Sequence, residues 1–305
     1  MGLPKATLDV LYPVGRPTWH GSQEELLWAE ETSLDVQWAH AVAPGATIDL
    51  VVAPTAAGAP LDLAQRYAVD HRLGNVMSLS FGDPEASING NSTQAAQAHK
   101  IYADARAAGI TVFASSGDSG SDNGAGYGNF AFPAADPLVT AVGGTTLYTG
   151  SGLDRPRETV WGDYANCPLT CGAGPLGATG GAPSVLGGKS GSDVSYDASV
   201  YTGMLTYIGF LAPSADGFYF MGGTSAGAPQ WAAITAVLNQ ALGRPLGYLR
   251  DQLASWAAAG ALTDVTVGSN ATPSYPGGYS AGVGEDLPTG YGSPDVGRLL
   301  QVLGG

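Results

Sequence analysis

The sequence predicts an α/β fold in three layers, with a mostly parallel sheet flanked by helices on both faces. Three observations predict it. Short apolar runs alternate with helical patterns along the first half of the chain, the rhythm of units whose strands run the same way. Of 305 residues, 44% are hydrophobic, enough for one sizeable core. Gly (46) and Pro (20) are frequent but fall without a period, which removes collagen-like and solenoid arrangements.

Each element follows from its residues. QEELLWAEETSLDVQWAHAVA (23–43) combines helix formers with apolar residues at helical spacing, and Pro44-Gly45 stops it. TIDLVVA (47–53) reads as a strand and 60–72 as a helix. NVMSLSF (75–81) reads as a strand, 92–109 as a helix and ITVFASS (110–116) as a strand. LVTAVGG (138–144) is another strand. Residues 145–220 are rich in Gly, Pro and turns, with short β pieces. Thr224 to Leu242 is a long Ala-rich helix. Loops then lead to a short helix at 295–303. No linker or repeat divides the chain, so residues 1–305 are expected to form a single domain.

Composition also excludes functions. Lys plus Arg is 12 and Asp plus Glu is 26, a net charge of −14. Such a surface repels nucleic acid and anionic lipid, so neither is expected as a partner. No apolar run approaches the ~18 residues of a membrane span. MGLPKATLDV lacks the charged-then-apolar pattern of a signal peptide. Few charges and many small residues suggest a secreted protein of acid surroundings. A monomer is expected. Cys167 and Cys171 read as a local disulfide or two free thiols, since a zinc site needs more ligands than cluster there. Asn91-Ser92-Thr93 and Asn270-Ala271-Thr272 match the glycosylation pattern, a short motif that arises often by chance.

Four segments carry chemistry. In the first, Gly222-Gly223-Thr224-Ser225-Ala226-Gly227-Ala228-Pro229 opens the Ala-rich helix. Gly223 permits a tight approach of the chain. Ser225 then sits at a helix N-terminus, where N–H groups and the dipole favour a developing oxyanion. An isolated G-T-S is most often only a helix cap. The longer G-T-S-A-x-x-P resembles the nucleophile motif of subtilisins and sedolisins.

A serine nucleophile needs a base. None of His20, His40, His71 and His99 stands in a motif that makes it one. Glu31 and Asp35 supply the alternative. They lie four apart on a helix and share a face, so the pair can hold a proton between them. Glu24, Glu25 and Glu30 read as a solvated acidic face, Glu30 being one position off. The third segment is Ser115-Ser116-Gly117-Asp118-Ser119-Gly120, directly after a parallel strand. G-D-S-G also invites a chymotrypsin-like reading with Ser119 as nucleophile, but that needs an all-β double barrel. Asp118 after the strand can donate to an oxyanion if protonated. The fourth segment holds Asp264-Val265, then Gly282-Val283-Gly284-Glu285-Asp286, then Thr289-Gly290-Tyr291-Gly292-Ser293-Pro294. Two carboxylates among Gly-rich turns suit Ca²⁺, which wants carboxylate and carbonyl oxygens together.

The four segments together resemble the sedolisins, serine-carboxyl peptidases with a subtilisin-like fold. E-x-x-L-D opens the helix that ends in A-P-G-A, and the resemblance extends through NVMSLSFG, FPAADPLVTAVGGT, ETVW, ATGGAPS and DVSYDASVYTG. It implies an acid-active endopeptidase on protein or peptide substrates. Its catalytic residues are Glu31, Asp35, Asp118 and Ser225. It also implies one structural Ca²⁺ in about 262–294, held by Asp264 and Asp286 and by backbone oxygens of Val265, Gly282 and Gly284. The sequence departs from the pattern. It is expected to lack the family's first strand, and the loop from Pro183 to Ser192 is short. Phe81 stands where some members carry a Trp that extends the proton network, and Phe cannot donate. The alternative reading is therefore an inactive, truncated domain that binds peptides or serves as a calcium-stabilised module.

Overall fold

In the computed structural model, the chain opens on a strand that the sequence does not predict. The structure describes all residues except 1, 57, 89–91, 150–156, 167–175, 213 and 305. Strand β1 (Thr7–Leu11) precedes helix α1 (Gln23–Val42) and pairs in parallel with β2 (Thr47–Val51), Thr7 against Thr47 and Leu11 against Val51. TLDVL is only five residues long and mostly exposed, so its pairing partner rather than its own pattern makes it a strand.

α1 starts on a capping box. Ser22 Oγ accepts from the Glu25 N–H at 3.2 Å, and the Glu25 carboxylate accepts from the Ser22 N–H at 2.8 Å. Glu25 thus belongs to the helix start rather than to a merely solvated face. The Ser22 backbone hydrogen bond holds its carboxyl down at about 2.

Next come α2 (Gly58–Asp70), β3 (Val76–Leu79), the two-residue β4 (Asp83–Pro84), the single turn α3 (Glu85–Ile88) and α4 (Ser92–Ala107). Then follow β5 (Thr111–Ser115), β6 (Ala131–Phe132), which pairs with β4, and β7 (Thr140–Tyr148). β3, β5 and β7 lie parallel and side by side. β8 (Arg157–Val160) turns back antiparallel on the second half of β7, and a short helix α5 (Asp163–Asn166) follows it. β9 (Val194–Asp197) runs parallel to the first half of β7. Every residue of β5 is buried, as both faces of a parallel strand are when helices cover them.

β10 (Met204–Ile208) and β11 (Gly217–Met221) form a hairpin before α6 (Thr224–Leu242). Gly243, left-handed at φ 66°, ends α6. α7 (Arg250–Ala258), β12 (Leu262–Thr263), β13 (Ser293–Pro294) and α8 (Val296–Gly304) complete the chain. Two cores flank the sheet. Ile101, Tyr102 and Ala105 of α4 pack with Leu79, Val112 and Ala114 on one side. Trp231, Ile234 and Leu238 of α6 pack with Phe113, Val142 and Val194 on the other, with α7 and α8 behind. These are the three layers that the sequence predicts.

Candidate active site

The site forms where α1, the ends of β3 and β5, and the start of α6 converge. Ser225 is the second residue of α6, two positions after the N-cap Gly223. Gly223 is in the left-handed region at φ 98°, and a Cβ there would stand 2.5 Å from Asp118 Oδ2. Backbone strain and contact both require glycine. Among the described residues no backbone acceptor takes the Ser225 N–H, one of the donors a helix start leaves over.

α1 brings Glu31 and Asp35 to this point together, as their spacing of four requires. Leu34 between them is buried against Met204 and Ala226 and fixes the rotation of the helix. Burial pushes the Glu31 carboxyl well above its ordinary range, and the neighbouring Asp35 charge pushes the same way. The Ser225 side chain, hydrogen-bonded to it, pulls back. Glu31 Oε1 is buried with no hydrogen-bond partner. Burial also raises Asp35, against a hydrogen bond from Ser80. The ring of Trp28, three residues before Glu31, meets Phe81 at 6.4 Å, so an apolar wall stands beside the pair.

Asp118 follows β5 and faces α6. Its Oδ1 accepts from the Thr224 N–H and the Thr224 hydroxyl, both at 2.8 Å. The residue opens on the cleft, yet protein atoms pack round its carboxyl, and that desolvation raises its pKa against the two Thr224 bonds. With Oδ1 accepting twice, a proton on this carboxyl belongs on Oδ2. The backbone is pinned from behind. Gly180 N donates to Gly117 O at 2.8 Å and Ala178 N to Asp118 O at 3.0 Å. A Cβ on Gly180 would fall 1.8 Å from Ser116 O, so the close approach needs glycine.

Two residues of the site were not singled out from sequence. Ser80, directly after β3, donates to Asp35 Oδ1 at 2.9 Å and approaches the Ser225 carbonyl at 3.2 Å, linking α1 to the start of α6. Thr224 anchors Asp118. The only sequence signals are a Ser at the end of an apolar strand and a Thr at a helix start, both too common to read alone.

All four histidines lie elsewhere. His20 Nδ1 contacts Glu25 Oε1, His40 Nε2 contacts Pro4 O, His71 Nδ1 contacts Tyr67 O and His99 Nδ1 contacts Asp136 Oδ2. Ser119 falls in no all-β barrel, so the chymotrypsin-like reading of G-D-S-G fails. Asn270 is fully buried, and its amide donates to Gly180 O and Gly181 O, so it is no glycosylation acceptor. Cys167, Cys171 and Asn91 lie outside the described residues.

The C-terminal loops bring Asp264 and Asp286 near each other. Asp264 Oδ2 accepts from Gly284 N at 2.8 Å and Asp286 Oδ2 from Gly282 N at 3.0 Å. Desolvation raises Asp286, and the Asp264 charge adds to that. The carbonyls of Val265, Gly282 and Gly284 accept no backbone hydrogen bond among the described residues. No group of three or more His, Cys, Asp or Glu side chains gathers among those residues, so a cation here must draw on main-chain oxygens.

Away from the cleft, burial pushes Asp197 of β9 up to about 7 from an ordinary 3.8. The folded state therefore holds this proton more tightly than the unfolded chain. Its contribution, about 4 kcal/mol, is present below pH 4 and is lost as pH rises towards 7. The melting temperature should fall over that window. Asp197→Asn, measured by calorimetry in parallel, should flatten the fall; an identical slope in both proteins would refute the assignment.

A family model described as the subtilase family matches residues 29–279. Kumamolisin from Bacillus sp. (strain MN-32) is 37% identical over 293 residues, covering 90% of this chain and 50% of that protein. Sedolisin from Pseudomonas sp. (strain 101) is 34% identical over 303 residues, covering 90% of this chain and 49% of that protein. The chain thus spans about half the length of the curated relatives it matches. A solved Pseudomonas sedolisin, a serine-carboxyl proteinase complexed with two molecules of pseudo-iodotyrostatin, superposes with a TM-score of 0.84. It is 29% identical, over 99% of this chain and 85% of that one.

Proposed function

Because the chain belongs to the subtilase family, in its sedolisin branch, we propose that it is a serine-carboxyl endopeptidase active in acid. The observation that carries this reading is the join of Ser225, Glu31 and Asp35 on one side of the helix start and Asp118 on the other. Ser225 Oγ attacks the scissile carbonyl and Glu31 takes its proton. Asp35, fixed by Ser80, shares a proton with Glu31 and keeps its carboxyl turned to the serine. The tetrahedral oxyanion lies between the Ser225 N–H and protonated Asp118. Glu31 returns the proton to the leaving amine, and water then resolves the acyl-enzyme.

A peptide aldehyde tests the nucleophile. It should add reversibly to Ser225 and raise the mass by one inhibitor, and Ser225→Ala should lose the adduct. No adduct at any pH would leave a peptide-binding or structural module as the better reading.

Asp264, Asp286 and the free carbonyls of Val265, Gly282 and Gly284 suit one Ca²⁺, a hard cation that takes carboxylate and carbonyl oxygens. The ion would neutralise two carboxylates that otherwise repel. At 100 times its dissociation constant it stabilises the fold by about 2.7 kcal/mol. Chelator should lower the melting temperature by several degrees, and added Ca²⁺ should restore it. An unchanged melting curve with no calcium by elemental analysis would sink this.

A further inference from the structure

The hairpin of β10 and β11 has an uncovered edge that runs into the site. The amide of Gln37, on α1, brackets the backbone of Tyr207. Its Nε2 donates to Tyr207 O at 2.8 Å, and its Oε1 accepts from Tyr207 N at 3.0 Å. The N–H and C=O of Tyr207 therefore turn away from β11. Opposed residues of an antiparallel pair exchange both their hydrogen bonds or neither. Tyr207 stands opposite Phe218, so Phe218 also turns its N–H and C=O outward, on the far edge of the hairpin. Phe220, two residues on and opposite Leu205, does the same. Among the described residues β11 pairs with β10 alone, and no backbone group outside the hairpin bonds Phe218 or Phe220.

This edge carries none of the usual protection. Exposed edges are commonly blunted by charge, proline or a bulge. Gly217–Met221 has no charge and no proline, and its residues pair one to one with Met204–Ile208. From Ala198 to Gly243 the single charged side chain is Asp216, whose Oδ1 accepts from the Leu211 N–H at 3.2 Å. The outer face is as bare. Leu205, Tyr207, Phe218 and Phe220 form two cross-strand pairs there, with Phe218 54% and Phe220 69% exposed. Met204, Thr206 and Ile208 are buried on the inner face. The rings of Tyr207 and Phe218 meet edge-on at 5.3 Å. An apolar face beside an open ladder suits an extended, uncharged polypeptide. A net charge of −14 disfavours a second copy of this chain as that polypeptide.

The position of the edge selects its occupant. Met221, the last residue of β11, packs with Leu34 of α1 and Ala226 of α6. Phe220 precedes Ser225 closely enough that the two lie at most about 18 Å apart, the length of that stretch fully extended. On the peptidase reading above, Glu31 of α1 passes its proton to the leaving amine. The part of the substrate C-terminal to the scissile bond therefore departs on the α1 side, where the hairpin packs. We propose that the free edge of β11 is an exosite for the protein substrate. An uncharged extended stretch, C-terminal to the scissile bond and within about six residues of it, adds to β11 as a third strand. Its apolar side chains, at every second position, lie beside Phe218 and Phe220. The identity of the occupant rests on the peptidase reading; the open edge does not.

The test uses the full chain and a quenched peptide built on one bond that it cuts in a denatured protein. About four residues after that bond, one version carries a run of alternating threonine and valine, and a second a run of alternating glycine and serine. A third keeps the threonine-valine run with every backbone nitrogen of the run methylated. The first should be cleaved with kcat/KM about tenfold above the other two, the gain lying in KM rather than kcat. Moving the run to the N-terminal side of the bond should remove the gain. Phe218→Ser with Phe220→Ser should also remove it, circular dichroism showing the fold intact. Phe218→Pro, which deletes an N–H that no ladder bond uses, should shrink it. In the chain carrying Ser225→Ala, amide exchange at Phe218 and Phe220 should slow when the threonine-valine peptide is added. Equal rates for the three peptides, an equal gain from the N-terminal side, or an unchanged gain in both variants would overturn the proposal. So would dimers that protect Phe218 and Phe220 without peptide, since a second copy would then be the occupant. Absence of cleavage of any protein or peptide would remove the peptidase reading and the exosite with it. Protection of Phe218 and Phe220 in Ser225→Ala would then still show strand addition.

Discussion

Ser225→Ala should abolish peptide hydrolysis, by roughly 10⁴–10⁶-fold in turnover, with little change in melting temperature. The two halves of this expectation come from different observations. On the proposed mechanism, loss of the hydroxyl removes the nucleophile, and the remaining donors can only polarise a carbonyl. Stability is spared because Gly223, not Ser225, is the N-cap, and Asp118 is anchored by Thr224. The usual loss of about 1 kcal/mol for a capping hydroxyl therefore does not apply. Digestion of a denatured protein in acid by the two chains side by side reads the first half, and a thermal melt reads the second. Glu31→Gln should be nearly as damaging, since an amide cannot take the proton. A chain that still cleaves with Gln at 31 but dies on substitution of His20 or His40 would show the base to be an imidazole. The structure places both histidines in contacts with Glu25 and Pro4, away from the serine.

The site's main residues were legible because each sits in a pattern longer than itself. Glu31 and Asp35 share a helical spacing, Ser225 opens a long Ala-rich helix, and Asp118 follows an apolar strand. Their supports were not legible. Ser80 looks like any strand-end serine until the fold sets it against Asp35. Thr224 looks like a helix cap, and its actual role is to hold Asp118 from across the cleft. Strand β1 was missed because it borrows its conformation from β2. Helix α7 was missed because only Leu253 and Trp256 of its nine residues are buried, too short an apolar stripe to read.

Asp118 should confine activity to acid. The oxyanion needs a neutral donor, and an ionised carboxylate would repel the charge that develops there. Burial raises the pKa of Asp118, so the carboxyl stays protonated to higher pH than an exposed aspartate. As pH rises through that folded-state value the donor is lost, and turnover should fall with it. Glu31 and Asp35 are raised as well, and their shared proton fails in the same direction. Two substitutions separate these causes. Asp118→Ala removes the donor at every pH and should lower turnover roughly 10²–10³-fold without moving the alkaline limb that the Glu31–Asp35 pair sets. Asp118→Asn keeps an oxygen for Thr224 and an N–H₂ donor that does not titrate. It should retain part of the turnover, and its alkaline limb should move upward if Asp118 sets that limb in the unsubstituted chain. An unmoved limb in Asp118→Asn, with a large loss in Asp118→Ala, would assign the pH dependence to the carboxyl pair and leave Asp118 as the donor. Normal turnover in Asp118→Ala would remove Asp118 from the chemistry, and its two bonds to Thr224 would then only tie the end of β5 to the start of α6.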